Sequence, residues 1–145
     1  MRHTRPIAAV CLATTALVAL GFATQPVPNQ SSPIIERKMG QMADSLSQVM
    51  DALRAEDAKT ALRQLQIFQE AVIDSKAQTP GITKAQKPDQ RNATTAAYRK
   101  SLVDVLAASC DLEHLIVDGD FESAKEFIGT TLSELEGAGH DEFRP

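Results

Sequence analysis

The chain has 145 residues, with 15 basic residues against 19 acidic ones and a net charge of −4. That length makes one domain around one core. An acidic domain has no electrostatic reason to seek nucleic acid, whose affinity comes from neutralising phosphates, or an anionic membrane surface. The first segment carries Arg2 and Arg5, then an apolar run from Ile7 to Leu20, then Gly21-Phe22-Ala23. Basic, apolar and small-x-small in that order is the layout of a secretory signal peptide. Residues 1–23 are therefore expected to be removed after Ala23 on export to the periplasm. The apolar run is short for a membrane span of about 20 residues. Losing Arg2 and Arg5 takes the 15 basic residues to 13 against 19 acidic, a net charge of −6. Cys11 leaves with the signal, so Cys110 has no disulfide partner in the exported chain. No stable membrane association is expected after cleavage, and a monomer is.

Residues 24–32 are polar and contain two prolines, the composition of a disordered lead-in. Ser32-Pro33 offers a capping hydroxyl followed by proline at the first helical position. From there Ile35, Met39, Met42, Leu46, Val49 and Leu53 recur at three- and four-residue steps, one apolar stripe on one helix. Asp57 caps a second helix with the stripe Ala61, Leu65, Phe68 and Val72, flanked by Leu62 and Ile73. Gln78-Thr79-Pro80-Gly81 ends it, and Ile82 to Asp89, polar and containing Pro88, is expected to be a surface connection. A third helix is expected to begin within Asp89–Asn92 and to carry Tyr98, Leu102, Val105, Leu106, Leu112 and Ile116. Asp118-Gly119-Asp120 is a tight turn, and a fourth helix follows with Phe121, Ala124, Ile128, Leu132 and Leu135. The expectation is an all-α, up-down-up-down antiparallel four-helix bundle over residues 33–145.

In that topology the amino ends of helices one and three and the carboxyl ends of helices two and four share one end of the bundle. Met39, the Phe68–Val72 region, Tyr98 with Leu102, and His140 converge there around an apolar pocket holding one thioether and one imidazole.

Residue by residue, the chain from Pro33 to Arg144 resembles the cytochrome b562 family. The resemblance rests on Met39-x-x-Met42-x-x-x-Leu46 in the first helix and on Ile73-Asp74 with Gln78-Thr79-Pro80 at the end of the second. Lys87-Pro88-Asp89, Tyr98-Arg99 and Asp118-Gly119 with Ala124 continue it, and His140-x-x-Phe143-Arg144 closes it. The resemblance implies one non-covalent b-type haem per chain, with iron held by Met39 and His140, and one-electron transfer to a redox partner that the sequence does not name. It also implies haem packing by Met42, Leu46, Phe68, Val72, Tyr98 and Leu102, with Arg144 pairing a haem propionate. There is no Cys-x-x-Cys-His for covalent attachment.

Helix four carries one residue more than the family between Ala124 and the histidine. His140 falls five residues after Leu135, about 140° around a regular helix after a full turn. Gly137 and Gly139 offer a place for a bulge or fraying that restores the phase.

Three readings compete. One is the haem electron carrier. Another is a haem-free bundle acting as a periplasmic binding or structural module. The third is a copper site from Met39, Met42, Met50 and His140. His114 and Cys110 share a helix face, too few donors for zinc; His114 is expected exposed and Cys110 half-buried. Phosphate loops, nucleophile elbows and His-Glu-x-x-His are all missing from the sequence, so no enzymatic turnover is expected.

Overall fold

The computed structural model describes residues 32–144; the expected signal peptide and all but the last residue of the lead-in lie outside them. Helix α1 spans Pro33–Arg54, α2 Ala58–Lys76 and α3 Pro88–Val117. The fourth rod is built from α4, Phe121–Phe127, a π-helical turn at Ile128–Leu132, and α5, Ser133–Phe143. The four rods pack antiparallel, each against its neighbours in the chain, with the fourth closing back on the first. Among the described residues no helix is long and apolar enough to cross a membrane.

Local chemistry starts α1, α2 and α4 where the sequence suggests. Ser32 Oγ accepts from the Ile34 amide at 3.3 Å, with Pro33 at the first helical position. Asp57 accepts from the Thr60 amide at 3.0 Å and Asp120 from the Ser123 amide at 3.1 Å. Hydrogen bonds from Thr60 and Ser123 hold both carboxyls below their ordinary value of 3.8. These caps therefore stabilise fully above that value and weaken as pH falls through the lowered one. Helix α3 begins at Pro88, slightly earlier than the expected Asp89–Asn92, because proline is itself the first helical residue.

The α2–α3 connection differs from the surface loop expected of it. Gly81–Ala85 winds into a 3₁₀ helix, with Pro80, Gly81 and Thr83 buried. The Thr83 hydroxyl donates to the Pro80 carbonyl at 2.8 Å, which lets a polar side chain sit inside. Cys110 is exposed rather than half-buried. Its neighbour Ser109 takes the inward position, fully buried with its hydroxyl on the Leu106 carbonyl at 2.7 Å, and one step along a helix turns the next side chain by about 100°. His114 is exposed, as expected.

The core is unequal at its two ends. Around the α1–α2 and α3–α4 turns, Val49, Leu53, Ala61, Leu112, Ile116 and Ala124 are completely sealed, and Leu65 nearly so. Toward the other end Ile35, Met42, Tyr98, Leu102 and Phe143 keep some exposure and Met39 and Leu46 are only half-buried. The first rod runs alongside Phe121–Phe127 but makes no comparable contact with Ser133–Phe143, so the bundle is shut at one end and opens a cleft at the other.

Two turns make a paired test of backbone strain. Gly119 has φ +76° and Glu56 has φ +53°, both in the left-handed region that costs a residue with a side chain about 1–2 kcal/mol. Gly119→Ala should lose about that much in chemical denaturation, whereas Glu56→Gly should leave stability unchanged or raise it.

Candidate functional site

The open end holds a cavity of about 450 Å³, within the ~300–1,000 Å³ typical of small-molecule sites. Helix α1 lines it with Ile35, Met39, Met42 and Leu46 inside and Glu36, Gly40 and Ala43 toward the edge. Helix α2 supplies Phe68, and the connection after it Pro80 and Gly81. Tyr98, Ser101, Leu102 and Val105 come from α3, and the fourth rod contributes Leu132, Leu135, Glu136, Gly139, His140, Phe143 and Arg144.

The presence of His140 in that wall depends on the π turn. The Ser133 amide donates to the Ile128 carbonyl, five residues back instead of four, which absorbs one residue. Twelve residues separate Ile128 from His140; in a regular helix the imidazole would lie about 120° off the Ile128 line. With one residue absorbed, eleven steps leave it about 20° off. The phase relative to Ile128 is restored at Ile128–Leu132; Gly137–Gly139 lie in regular helix, so His140 stays about 140° around from Leu135 and sits at the exposed edge of the cavity. Gly129, Thr130 and Thr131 combine a poor helix former with two β-branched residues, and the Thr130 hydroxyl bonds back to the Glu126 carbonyl at 2.8 Å. That cluster was the available sequence signal. The end of the rod is then fixed by Phe143, whose ring meets Tyr98 edge-on at 5.4 Å and 78°.

Eight of the nine residues expected at the site line this one cavity: Met39, Met42, Leu46, Phe68, Tyr98, Leu102, His140 and Arg144. Val72 does not. It is fully buried in the core, because α2 packs along both α1 and α3 and covers it. His140 and Arg144 are exposed at the edge. Sequence reasoning missed Phe143 as a clamp, although it continues the spacing Leu132, Leu135, Gly139. It also missed Pro80–Gly81 as wall, since proline and glycine signal a turn but not its burial.

Charge is concentrated at the edge. Glu36, Glu136 and Arg144 are the charged residues of the lining and all three are exposed. Beside Met39, Lys38 pairs with Asp74 at 2.7 Å and ties α1 to α2, a partly exposed bridge of small energetic weight. The donor set is one imidazole with thioethers. Among the described residues no three His, Cys, Asp or Glu side chains gather into a metal-ion site, and the cavity of about 450 Å³ is many times the ~30 Å³ of one water. The site suits a large apolar group whose metal brings most of its own ligands.

The Tyr98 hydroxyl is buried without a hydrogen-bond partner, and burial pushes it from 10.0 up to about 12. Tyr98 is the single tyrosine in a chain with no tryptophan, so tyrosinate absorbance of the folded protein should appear near pH 12 and that of the unfolded chain near 10.0. The proton is held more tightly in the folded state, so the associated stability is intact below pH 10.0 and lost as pH rises toward about 12. Tyr98→Phe removes an unsatisfied buried hydroxyl and should be neutral or stabilising by up to about 1 kcal/mol.

A family model described as Cytochrome b562 matches residues 35–144. A search of curated proteins gave no match. The matched span contains all four rods together with both Met39 and His140, and the chain belongs to the cytochrome b562 family, whose members are haem-binding electron carriers rather than enzymes.

Proposed function

We propose that the protein is a periplasmic one-electron carrier that would hold one b-type haem non-covalently, its iron bound by Met39 and His140. The observation that carries this reading is that one apolar cavity is lined by Met39 from α1 and His140 from α5. Haem, when bound, supplies the one-electron chemistry of its iron. The chain's own residues supply ligation, exclusion of water and charge balance. Met39 offers a soft thioether, which favours the reduced ion and with histidine raises the potential. Imidazole gives the second, firmer bond. Phe68, Tyr98, Leu102 and Leu46 keep water from the buried side of the cavity, and the low local dielectric strengthens every charge interaction inside it. Arg144 at the edge suits a carboxylate in bidentate geometry. Export to the periplasm rests on the basic, apolar and small-residue order of the first 23 positions.

Titrating the purified protein with haem tests the reading. Binding with split α and β bands on reduction is expected. His140→Ala should weaken binding beyond the ~10–100-fold typical of losing a supporting partner to a metal ligand. Met39→Ala should retain haem on His140, change the reduced spectrum and lower the potential. A wild-type chain that takes up no haem at micromolar concentration leaves the haem-free bundle as the function to pursue.

The π turn gives an independent check on ligation. Deleting Gly129, where an added Cβ would meet nothing within 4 Å, should convert the turn to regular helix and leave haem binding intact. Deleting Ala138 is the same change in length below the turn, and should rotate His140 by about 100° and abolish its ligation.

A further inference from the structure

Four large apolar side chains are exposed among the described residues, Ile34, Ile73, Val103 and Val117, and three of them share one face. Val103 and Val117 lie on α3, seven residues to either side of Cys110, which is exposed as well. A seven-residue step moves only about 20° around a helix, so the three stand in one line along the outside of α3. Ile73 joins them from α2. Gln69, one turn before it, donates to Glu113 of α3 at 3.0 Å, which sets that side of α2 against this flank of α3. The two helices run antiparallel, so Ile73 comes close to the level of Cys110. A row of exposed apolar side chains on one face marks a surface that another molecule covers.

The row is symmetric about Cys110. A two-fold axis through that residue lays the α3 helices of two copies antiparallel and sets Val103 of each against Val117 of the other. The charges of α3 follow the same symmetry. Its first half exposes Arg99 and Lys100, and Asp118 and Asp120 are exposed where it ends. The axis carries the basic part of each helix to the acidic end of its mate, where unlike charges favour this pairing over a parallel one.

We propose that the α2–α3 face is the interface of a symmetric dimer, two copies of this chain packed antiparallel along α3, in place of the monomer expected from the sequence. Ile73, Val103, Cys110 and Val117 take no part in the cavity wall, so the pairing is independent of the haem reading. The cleft opens between α1 and the fourth rod, on the opposite side of the bundle, and stays accessible in both copies.

Sedimentation of the purified protein over a concentration series tests the pairing, with circular dichroism to confirm that each variant folds. The wild-type chain is expected to dimerise reversibly. Val103→Asp and Val117→Asp should each raise the dissociation constant roughly tenfold or more, while Ile34→Asp, exposed but off this face, should leave it unchanged. Lys100→Glu should weaken the dimer, and adding Asp118→Lys to it should restore the association. Cys110 supplies a second readout. With diamide present, the two thiols at the axis should join in one disulfide, their two electrons and two protons passing to the diazene. That cross-link should form far more slowly in Val103→Asp. A wild-type chain monomeric up to roughly 1 mM overturns the inference, as does an equal loss in Ile34→Asp or undiminished cross-linking in Val103→Asp.

Discussion

The hydrogen bond from the Ser133 amide to the Ile128 carbonyl sets the phase of everything after it in the chain. It skips one carbonyl, and the skipped residue rotates the last eleven-residue helix by about a quarter turn relative to a continuous α-helix. Leu135, Gly139, His140 and Phe143 reach the cavity wall only in that phase. The turn lies at the one place in the rod where glycine and two threonines already weaken regular helix. The cost of irregular geometry therefore falls on a segment with little helix propensity to lose.

Downstream of that turn, one aromatic contact carries the positioning. The edge-on pair of Tyr98 and Phe143 joins the first half of α3 to the last residue of α5, one turn beyond His140. It fixes a helix end that would otherwise fray, and it does so from the buried side of the cavity. The opposite side is left open, where α1 and α5 separate and offer glycines and a few charges instead of interlocking apolar side chains. The sealed core around Leu53, Leu65 and Leu112 holds the rods together at the far end, so that they can stand apart around the cavity at the open end. A cavity in a bundle needs that asymmetry, because a uniformly packed interior leaves no room for a ligand.

Membership of the cytochrome b562 family fits this division of labour. A carrier of single electrons needs little beyond a redox group held in fixed surroundings, with small structural change between its two oxidation states. A bundle whose thioether and imidazole line one cavity from two different rods suits that need. Glu36, Glu136 and Arg144 at the exposed edge place the charged groups where water screens them and leave the apolar ones where it does not.

Much of this was legible from residue order. The three- and four-residue steps from Ile35 to Leu53 and from Ala61 to Val72 marked buried faces. Ser32, Asp57 and Asp120 marked helix starts, and Asp118-Gly119 marked the last turn. Each depends on chemistry within one or two turns of chain, which is why the sequence by itself determined four antiparallel rods and the two tight turns, but not the buried 3₁₀ connection between α2 and α3. The site was less complete. Val72 shares its stripe with Phe68 but lies beneath the wall, since a stripe tells which face turns inward and not how far the neighbouring rod has moved away. Residue order allowed the bulge at Gly129-Thr130-Thr131 or at Gly137–Gly139, and tertiary packing decided between them. Gly137 and Gly139 look as permissive as Gly129 when read along the chain. Only Gly139, however, stands against Ser101 of α3, and Phe143 four residues on must still meet Tyr98. Loosening the helix there disturbs contacts between residues some forty positions apart, whereas the turn at Ile128–Leu132 delivers all of them in register.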